Sequence, residues 1–338
     1  MTMTTEVTDG DIVTDLEAVL RETLGLADAS VSDLAPFGDG HSGETYSFVL
    51  ASPAALSRLV LRLSPAGVPP RGPADVGRQG RIMAALQAAG APAPRVLACS
   101  SEPRLAGRAF AVMELVEGRS WSDFRAGAGD AATAAAAVAA LKVIQSVPLD
   151  RTSLSLADAD GDPLAEVRRW EPLLVRAEED LHRPGEALAD RLAAGAGDAG
   201  AAAPVLVHGD FHYGNLMFGD DGVVAVLDWE IAGVGHPATD LACLAVASLR
   251  RRYAPDPNPT GSIEIPLGEL GRTYGIGARE LAWHVAASCY KYAAIVGYNL
   301  RLHRRGKKHD PIYESLQHTA RALLDDGLTL LRDGIDSF

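Results

Sequence analysis

The chain has 338 residues, 47% of them hydrophobic and 22% charged, with a formal net charge of −13. That length supports a sizeable core in one large domain or two lobes, and the acidic balance argues against a general nucleic-acid-binding surface, which needs a basic face. Three cysteines, Cys99, Cys243 and Cys289, lack metal-ligand spacing and read as free thiols of a reducing compartment. The opening MTMTTEVTDGDIV has neither the basic nor the apolar region of a leader peptide, and no run of about 18 apolar residues could span a bilayer. These features predict a cytoplasmic protein with no nucleic-acid or membrane partner.

Asp11–Leu24 places Ile12, Leu16, Val19, Leu20 and Leu24 at helical spacing. Strand patterns follow at Val31–Phe37, Thr45–Leu50 and Arg58–Leu63, separated by Gly- and Ser-rich turns. The turn FGDGHSGETY (Phe37–Tyr46) has enough glycine for backbone N–H groups to approach phosphate oxygens unobstructed. Ser64–Pro73 is a connector by its Pro and Gly content. Val76–Ala89 returns to helical spacing through Ile82, Met83 and Leu86, and Arg95–Ala98 and Ala109–Leu115 are two further strands. From Ser120 the pattern is helical: the Ala-rich Asp130–Val147, then Pro163–Leu181 and Glu186–Ala194, with Ala193–Ala203 expected as a surface loop or frayed helix end. Later helices are predicted over Ala238–Arg251, Leu267–Tyr274, Ala278–Arg305 and Pro311–Arg332. The change from strands to helices falls near Val116–Arg119, so the expected division is 1–116 and 117–338.

Chemistry concentrates in Val205–Leu241, VLVHGDFHYGNLMFGDDGVVAVLDWEIAGVGHPATDL. Asp210 and Asn215 are five apart on one predicted loop, and the apolar run Val223–Leu227 reads as a short strand carrying Asp228 back towards them. In phosphoryl transfer one loop Asp receives the proton of the acceptor hydroxyl, while an Asn and a second Asp hold Mg²⁺. The ion takes oxygen ligands and keeps several waters, so one amide and one carboxylate suffice. Asp210 is therefore the candidate base, and Asn215 and Asp228 are the candidate metal ligands. HGDFH lacks the spacing of a helical zinc motif, and no GxSxG nucleophile turn occurs.

HGD(x)4N followed by LDWE and GHPATDL resembles the aminoglycoside phosphotransferase and choline kinase superfamily, relatives of the protein kinases. The likeness is closest to the general phosphotransferase branch, which includes kinase domains fused to acyl-CoA dehydrogenases that act on hydroxyacyl-CoA. The resemblance implies an α+β, bilobal protein-kinase-like fold: a small antiparallel-sheet N-lobe with one helix, and a large, mostly helical C-lobe. It also implies ATP as donor and a small-molecule acceptor. The glycine-rich turn looks like the loop over the ATP phosphates, with Gly40, Gly43 and the Ser42 hydroxyl as donors. Arg62 stands where kinases place a strand lysine, and its permanent fork suits phosphate. Gln79 stands where a Glu usually pairs with that residue, so it offers Arg62 at most its amide oxygen, unless another carboxylate orients the guanidinium. Ala111–Val116 resembles the strand entering the hinge, where the backbone of Glu114 and Val116 would meet adenine. His208 and Asp240 read as braces of the catalytic loop, His212 as brace or participant, and Glu230 as a second metal shell or a cap.

The acceptor is less legible. Tyr290, Tyr298 and Asn299, in Trp283–Arg301, either line a pocket or pack the core. Arg301–His309 carries five Lys/Arg in nine residues and is either a solvated helix end or an anion-binding rim. A rim would suit a hydroxyacyl-CoA or another anionic metabolite. The alternatives are an antibiotic O-phosphotransferase and a non-catalytic nucleotide-binding protein of kinase fold.

Overall fold

The computed structural model describes residues 9–37, 44–52, 56–152, 154–155, 162–250, 252 and 262–338. The chain forms two compact units: Met1–Gly118 with Val147–Ser153 and Val224–Ala232, and Arg119–Ser146 with Leu154–Val223 and Gly233–Phe338.

The first unit opens with α1 (Asp9–Leu24), whose Ile12, Leu16, Val19 and Leu20 are buried. Strands β1 (Ser30–Pro36), β2 (Glu44–Ala51) and β3 (Leu56–Leu63) precede α2 (Val76–Ala88), and β4 (Val96–Leu105) and β5 (Arg108–Glu114) follow it. The sheet order is β1-β2-β3-β5-β4, and each neighbouring pair is antiparallel. The α1 stripe packs with Phe48, Leu59, Leu61, Phe110 and Val112 in one core. Each such buried side chain contributes about 1.5–3 kcal/mol.

Helix α2 starts where the Asp75 carboxylate accepts from the Arg78 N–H at 2.8 Å. Two of its glycines let it lie tight on β4. A Cβ on Gly77 would sit 2.2 Å from the Ser100 carbonyl carbon, and one on Gly80 would sit 2.6 Å from Cys99 Cβ. The register sets Arg62 opposite Thr45 on β2 and Ala111 on β5.

The second unit holds α3 (Trp121–Ala128), α4 (Asp130–Gln145), α5 (Ala165–Leu174), α6 (His182–Ala194) and the short strands β6 (Val205–Val207) and β7 (Leu216–Phe218). Strand β8 (Val223–Val226) follows in sequence and belongs, from Val224 on, to the first unit, whereas β9 (Gly233–Gly235) returns to the second and pairs antiparallel with β6. Helices α7 (Ala238–Arg250), α8 (Leu267–Tyr274), α9 (Ala278–Arg304), α10 (Ile312–Ser315) and α11 (Gln317–Asp333) complete it. The 27-residue α9 buries Leu281, Trp283, Val285, Tyr290 and Ala293 and packs against α5, α7 and α11. Among the described residues no helix is long and apolar enough to cross a membrane.

The α+β arrangement is the one expected, with local differences. The helix expected over Pro163–Leu181 is α5 alone, ending at Leu174 two residues after Pro172, and a 3-10 turn follows at Glu179–Leu181. Helix α6 starts at His182, ahead of the expected Glu186, because Pro184 falls in its first turn, where a missing N–H is harmless. Pro311–Arg332 divides into α10 and α11. Within Ala193–Ala203, expected at the surface, a 3-10 turn at Ala196–Ala199 buries Ala199 completely.

Candidate active site

The loop between β6 and β7 is fixed chiefly by backbone bonds. Buried Asp240, on the first turn of α7, accepts from the N–H of His208 at 2.7 Å and of Gly209 at 2.8 Å. An Asp at that position is ordinarily read as serving its own helix; here both carboxylate oxygens hold the loop. Gly209 turns the chain at φ +84°, a region glycine enters without strain. His208 is fully buried, and its Nδ1 accepts from the Asp210 N–H at 3.1 Å. The Asp210 carbonyl receives the N–H of His212 and the Asn215 side-chain amide, each at 3.0 Å. The Asn215 amide nitrogen therefore turns inward on the loop, and its oxygen is the atom left for a cation.

The Asp210 carboxylate has two neighbours. Tyr292 donates its hydroxyl to Oδ1 at 2.6 Å, and His212 Nε2 lies 3.5 Å from Oδ2. His212 Nδ1 accepts from the Gly214 N–H at 3.1 Å, which leaves the ring proton on Nε2, facing the carboxylate. Burial alone would raise the Asp210 carboxyl; His212, the Lys291 ammonium and the Tyr292 hydroxyl outweigh it and hold the group well below the usual carboxylate range. Burial and the facing Asp210 charge push the Tyr292 phenol well up, so it stays a donor. Asp210 is thus an ionised, oriented acceptor at neutral pH.

Lys291 lies on α9, buried, and donates to the Gly209 carbonyl, with Cys243 Sγ at 3.6 Å. Burial disfavours its charge, but Cys243, Asp210, Glu166 and Asp240 together raise its pKa above the ordinary lysine value. Lys291 and Tyr292 are not among the candidates that the sequence pattern singles out. Of Tyr290, Tyr298 and Asn299 on the same helix, Tyr290 is core, and the Asn299 amide donates to the Ile295 carbonyl at 3.0 Å. A lysine set among apolar residues at a core-facing helical position was the available signal.

In the first unit, Arg62 Nη1 pairs with Asp228 Oδ1 at 3.1 Å. Asp228 holds a left-handed φ of +64°, uncommon for a residue with a side chain. Trp229 next to it is fully buried, with Nε1 donating to the Val226 carbonyl at 2.9 Å. Gln79 does not take the part considered for it: its amide nitrogen donates to the Pro73 carbonyl at 2.9 Å, and its buried Oε1 has no hydrogen-bond partner among the described residues. The carboxylate facing Arg62 is Asp228. Glu114 ends β5, its N–H donating to the Arg95 carbonyl at 2.9 Å, and Val116 follows half-buried. Glu230 is half-buried on the segment after β8. Gly40, Ser42 and Gly43 lie outside the described residues. The structure therefore brings Asp210 to Asn215 in one unit and Arg62 to Asp228 in the other.

The basic run is mostly engaged within its own unit. Arg304 pairs with Glu314 at 2.8 Å and Glu178 at 3.6 Å, Arg301 donates to the Ala177 carbonyl at 2.7 Å, and Lys308 reaches Asn299 Oδ1 at 3.4 Å. Arg305 and Lys307 remain exposed, with no ion pair among the described residues.

Residues 33–283 match the model of the phosphotransferase enzyme family. The chain belongs to that family. It is similar to mouse acyl-CoA dehydrogenase family member 10, at 33% identity over 239 residues, covering 68% of this chain and 22% of the relative. Rat acyl-CoA dehydrogenase family member 11 is 28% identical over 347 residues, covering 95% of this chain and 43% of the relative. The chain thus spans less than half the length of either. Among solved structures, a Ralstonia eutropha JMP134 protein assigned to the aminoglycoside phosphotransferases superposes with a TM-score of 0.71 at 21% identity, over 95% of this chain and 98% of that one. Aminoglycoside phosphotransferase APH(4)-Ia, in a ternary complex with AMP-PNP and hygromycin B, gives 0.62 at 16% identity, over 94% and 98%. These likenesses show the protein-kinase-like fold.

Proposed function

We propose that the protein is an ATP-dependent phosphotransferase that moves the γ-phosphate of Mg-ATP to a hydroxyl of a small molecule, with Asp210 as the base. The observation that carries this reading is the Asp210 carboxylate: ionised, aimed by Tyr292 and His212, and mounted on a loop pinned by Asp240 and Lys291. A scaffold that only binds nucleotide has no need of this. Residues 1–116 would carry the nucleotide and 117–338 the catalytic and acceptor side. On the nucleotide side Gly40, Ser42, Gly43 and Arg62 would meet the phosphates, and the backbone at Glu114 and Val116 would meet adenine.

Asn215 and Asp228 suit Mg²⁺ by donor type, an amide oxygen turned away from the loop and a carboxylate 38% exposed. The bound ion would offset charge on the phosphate oxygens. Asp210 orients the acceptor hydroxyl and takes its proton as the acceptor oxygen bonds to the γ-phosphorus and the bond to the leaving nucleotide breaks. Arg62, paired with Asp228 in this structure, would turn its guanidinium to phosphate oxygens.

For the acceptor we favour a hydroxyacyl-CoA, because the matched relatives are acyl-CoA dehydrogenase family members. The basic run lends this only Arg305 and Lys307. The drug complexes of the structural neighbours favour an antibiotic acceptor as the second reading. Free thiols at Cys99, Cys243 and Cys289 fit a cytoplasmic setting. ADP release measured with Mg-ATP against hydroxyacyl-CoAs, aminoglycosides and choline tests all of this. Turnover with a hydroxyacyl-CoA alone supports the preferred acceptor, turnover with an aminoglycoside replaces it, and ATP binding without transfer to any acceptor in the panel counts against the enzyme reading.

A further inference from the structure

Away from the Asp210 loop, three metal-binding side chains meet in the second unit. His236, just after β9, and Glu280 and His284, one turn apart on α9, present ligand atoms that all lie within 4.8 Å of one another. His236 Nε2 is 3.7 Å from Glu280 Oε1, and the two imidazoles stack with centroids 4.3 Å apart. We infer that His236, Glu280 and His284 form a binding site for a borderline divalent transition-metal ion of the zinc type.

The donor set is the first argument. Two imidazole nitrogens and one carboxylate oxygen, with water completing four-coordination, is an arrangement zinc accepts, whereas Mg²⁺ and Ca²⁺ select all-oxygen sites. The surroundings are the second. The other ring nitrogen of His284, Nε2, lies 2.9 Å from the Ala199 carbonyl, an acceptor only, so the proton is on Nε2 and the Nδ1 lone pair is free to bind. A backbone carbonyl on the outer nitrogen is the usual support of a metal-bound histidine. The Glu280 carboxylate rests where any larger residue at 200 would collide: a Cβ on Gly200, at φ +74°, would be 2.6 Å from its Cδ. His236 Nε2 is buried and has no hydrogen-bond partner among the described residues. Thus the Ala/Gly-rich stretch before β6 supplies both the carbonyl and the cradle.

Two adjustments accompany binding. Bonds of about 2.0–2.2 Å require the donors to draw closer than 4.8 Å. The rings are only 20° from parallel, so one must tilt for their lone pairs to converge. His236 is the ring that moves, since it follows a short strand and its side chain is 20% exposed. Its Nδ1 now accepts from the Ala238 N–H at 3.2 Å, and ligation through Nε2 gives up that long bond. The site is therefore of moderate strength. It would tie α9 to the start of α7 and to residues 196–200.

Calorimetric titration of the chelator-stripped, nucleotide-free full chain with Zn²⁺, repeated with Co²⁺ followed by visible absorption, tests the site. The expected result is one equivalent bound at micromolar concentration, with a four-coordinate Co²⁺ spectrum, and at least roughly tenfold weaker binding in His236→Gln and in Glu280→Gln. His236→Gln alters a partly exposed side chain, so its fold should persist, as circular dichroism would verify. Asp210→Ala should bind as the wild type does, which separates this site from the proposed Mg²⁺ site and from the reading of Asp210. Equal binding by wild type and the two ligand variants, or no stoichiometric binding by the wild type, overturns the proposal.

Discussion

Replacing Lys291 with Met tests whether a buried ammonium holds the catalytic loop. Met keeps an unbranched chain of similar reach and removes the charge. The ammonium donates to the Gly209 carbonyl and lies 4.7 Å from the Tyr292 ring centroid and 5.6 Å from that of Trp170. A hydrogen bond to a charged group is worth about 1.5–3 kcal/mol, and a desolvated cation–π contact up to about 2. The variant also leaves Asp210 and Asp240 without their shared counter-charge, so the total falls near the ~3–5 kcal/mol of a broken buried pair. At roughly 2–4 °C per kcal/mol, the thermal midpoint should drop by about 6–20 °C. The pH dependence follows from the raised Lys291 pKa: the stabilisation is complete below the unfolded lysine value of about 10.4 and is lost as pH rises through the higher folded value. Urea unfolding of both proteins from pH 6 to 11 should therefore show a constant gap that closes only at the alkaline end. A gap under about 1 kcal/mol, or one that varies between pH 6 and 9, would refute the reasoning.

Asn215→Ala and Asp228→Ala should each raise the Mg²⁺ concentration giving half-maximal transfer, Asp228→Ala more, since the carboxylate brings charge as well as an oxygen; identical Mg²⁺ titrations would remove both from the metal site. Gln79→Glu should cost about 1–3 kcal/mol in urea unfolding, because it sets a carboxylate oxygen against the Pro73 carbonyl in a buried place; unchanged stability would mean the side chain has another partner. Burial raises the Asp326 carboxyl to about 6, so between the unfolded value of about 3.9 and 6 the folded state binds more protons and stability falls as pH rises. Asp326→Asn removes that slope, so relative to the variant the wild type should lose about 1.4 kcal/mol between pH 5 and 7.5, and a flat difference would contradict the shift.

Sequence order was enough for the strand–helix–strand plan of the first unit because its periodicities are local: alternation in β2 and β3, and the Leu16 and Leu20 stripe of α1. Asp210, Asn215 and Asp228 stood out because their spacing within one short segment carries chemical meaning. The partners of those residues did not stand out, because they come from far along the chain. Tyr292 reaches Asp210 across 82 residues, and Asp228 rather than Gln79 meets Arg62 across 166. The basic run stayed open between a solvated helix end and an anion rim because a sequence shows its cations and not Glu178, Glu314 or the Ala177 carbonyl, which engage them. Likewise the Ala193–Ala203 stretch, poor in pattern, gave no sign that Ala199 would be buried against His284.

Phosphate transfer from γ-labelled Mg-ATP to the acceptor identified by the screen, measured side by side for the wild type and Asp210→Asn, decides whether this loop does the chemistry. The amide keeps the shape and can still meet the Tyr292 hydroxyl, but it accepts no proton. The wild type should give labelled acceptor, and the variant should lose about 10²–10⁴-fold in kcat with ATP binding unchanged. A variant that transfers phosphate at nearly the wild-type rate would show that Asp210 is not the base.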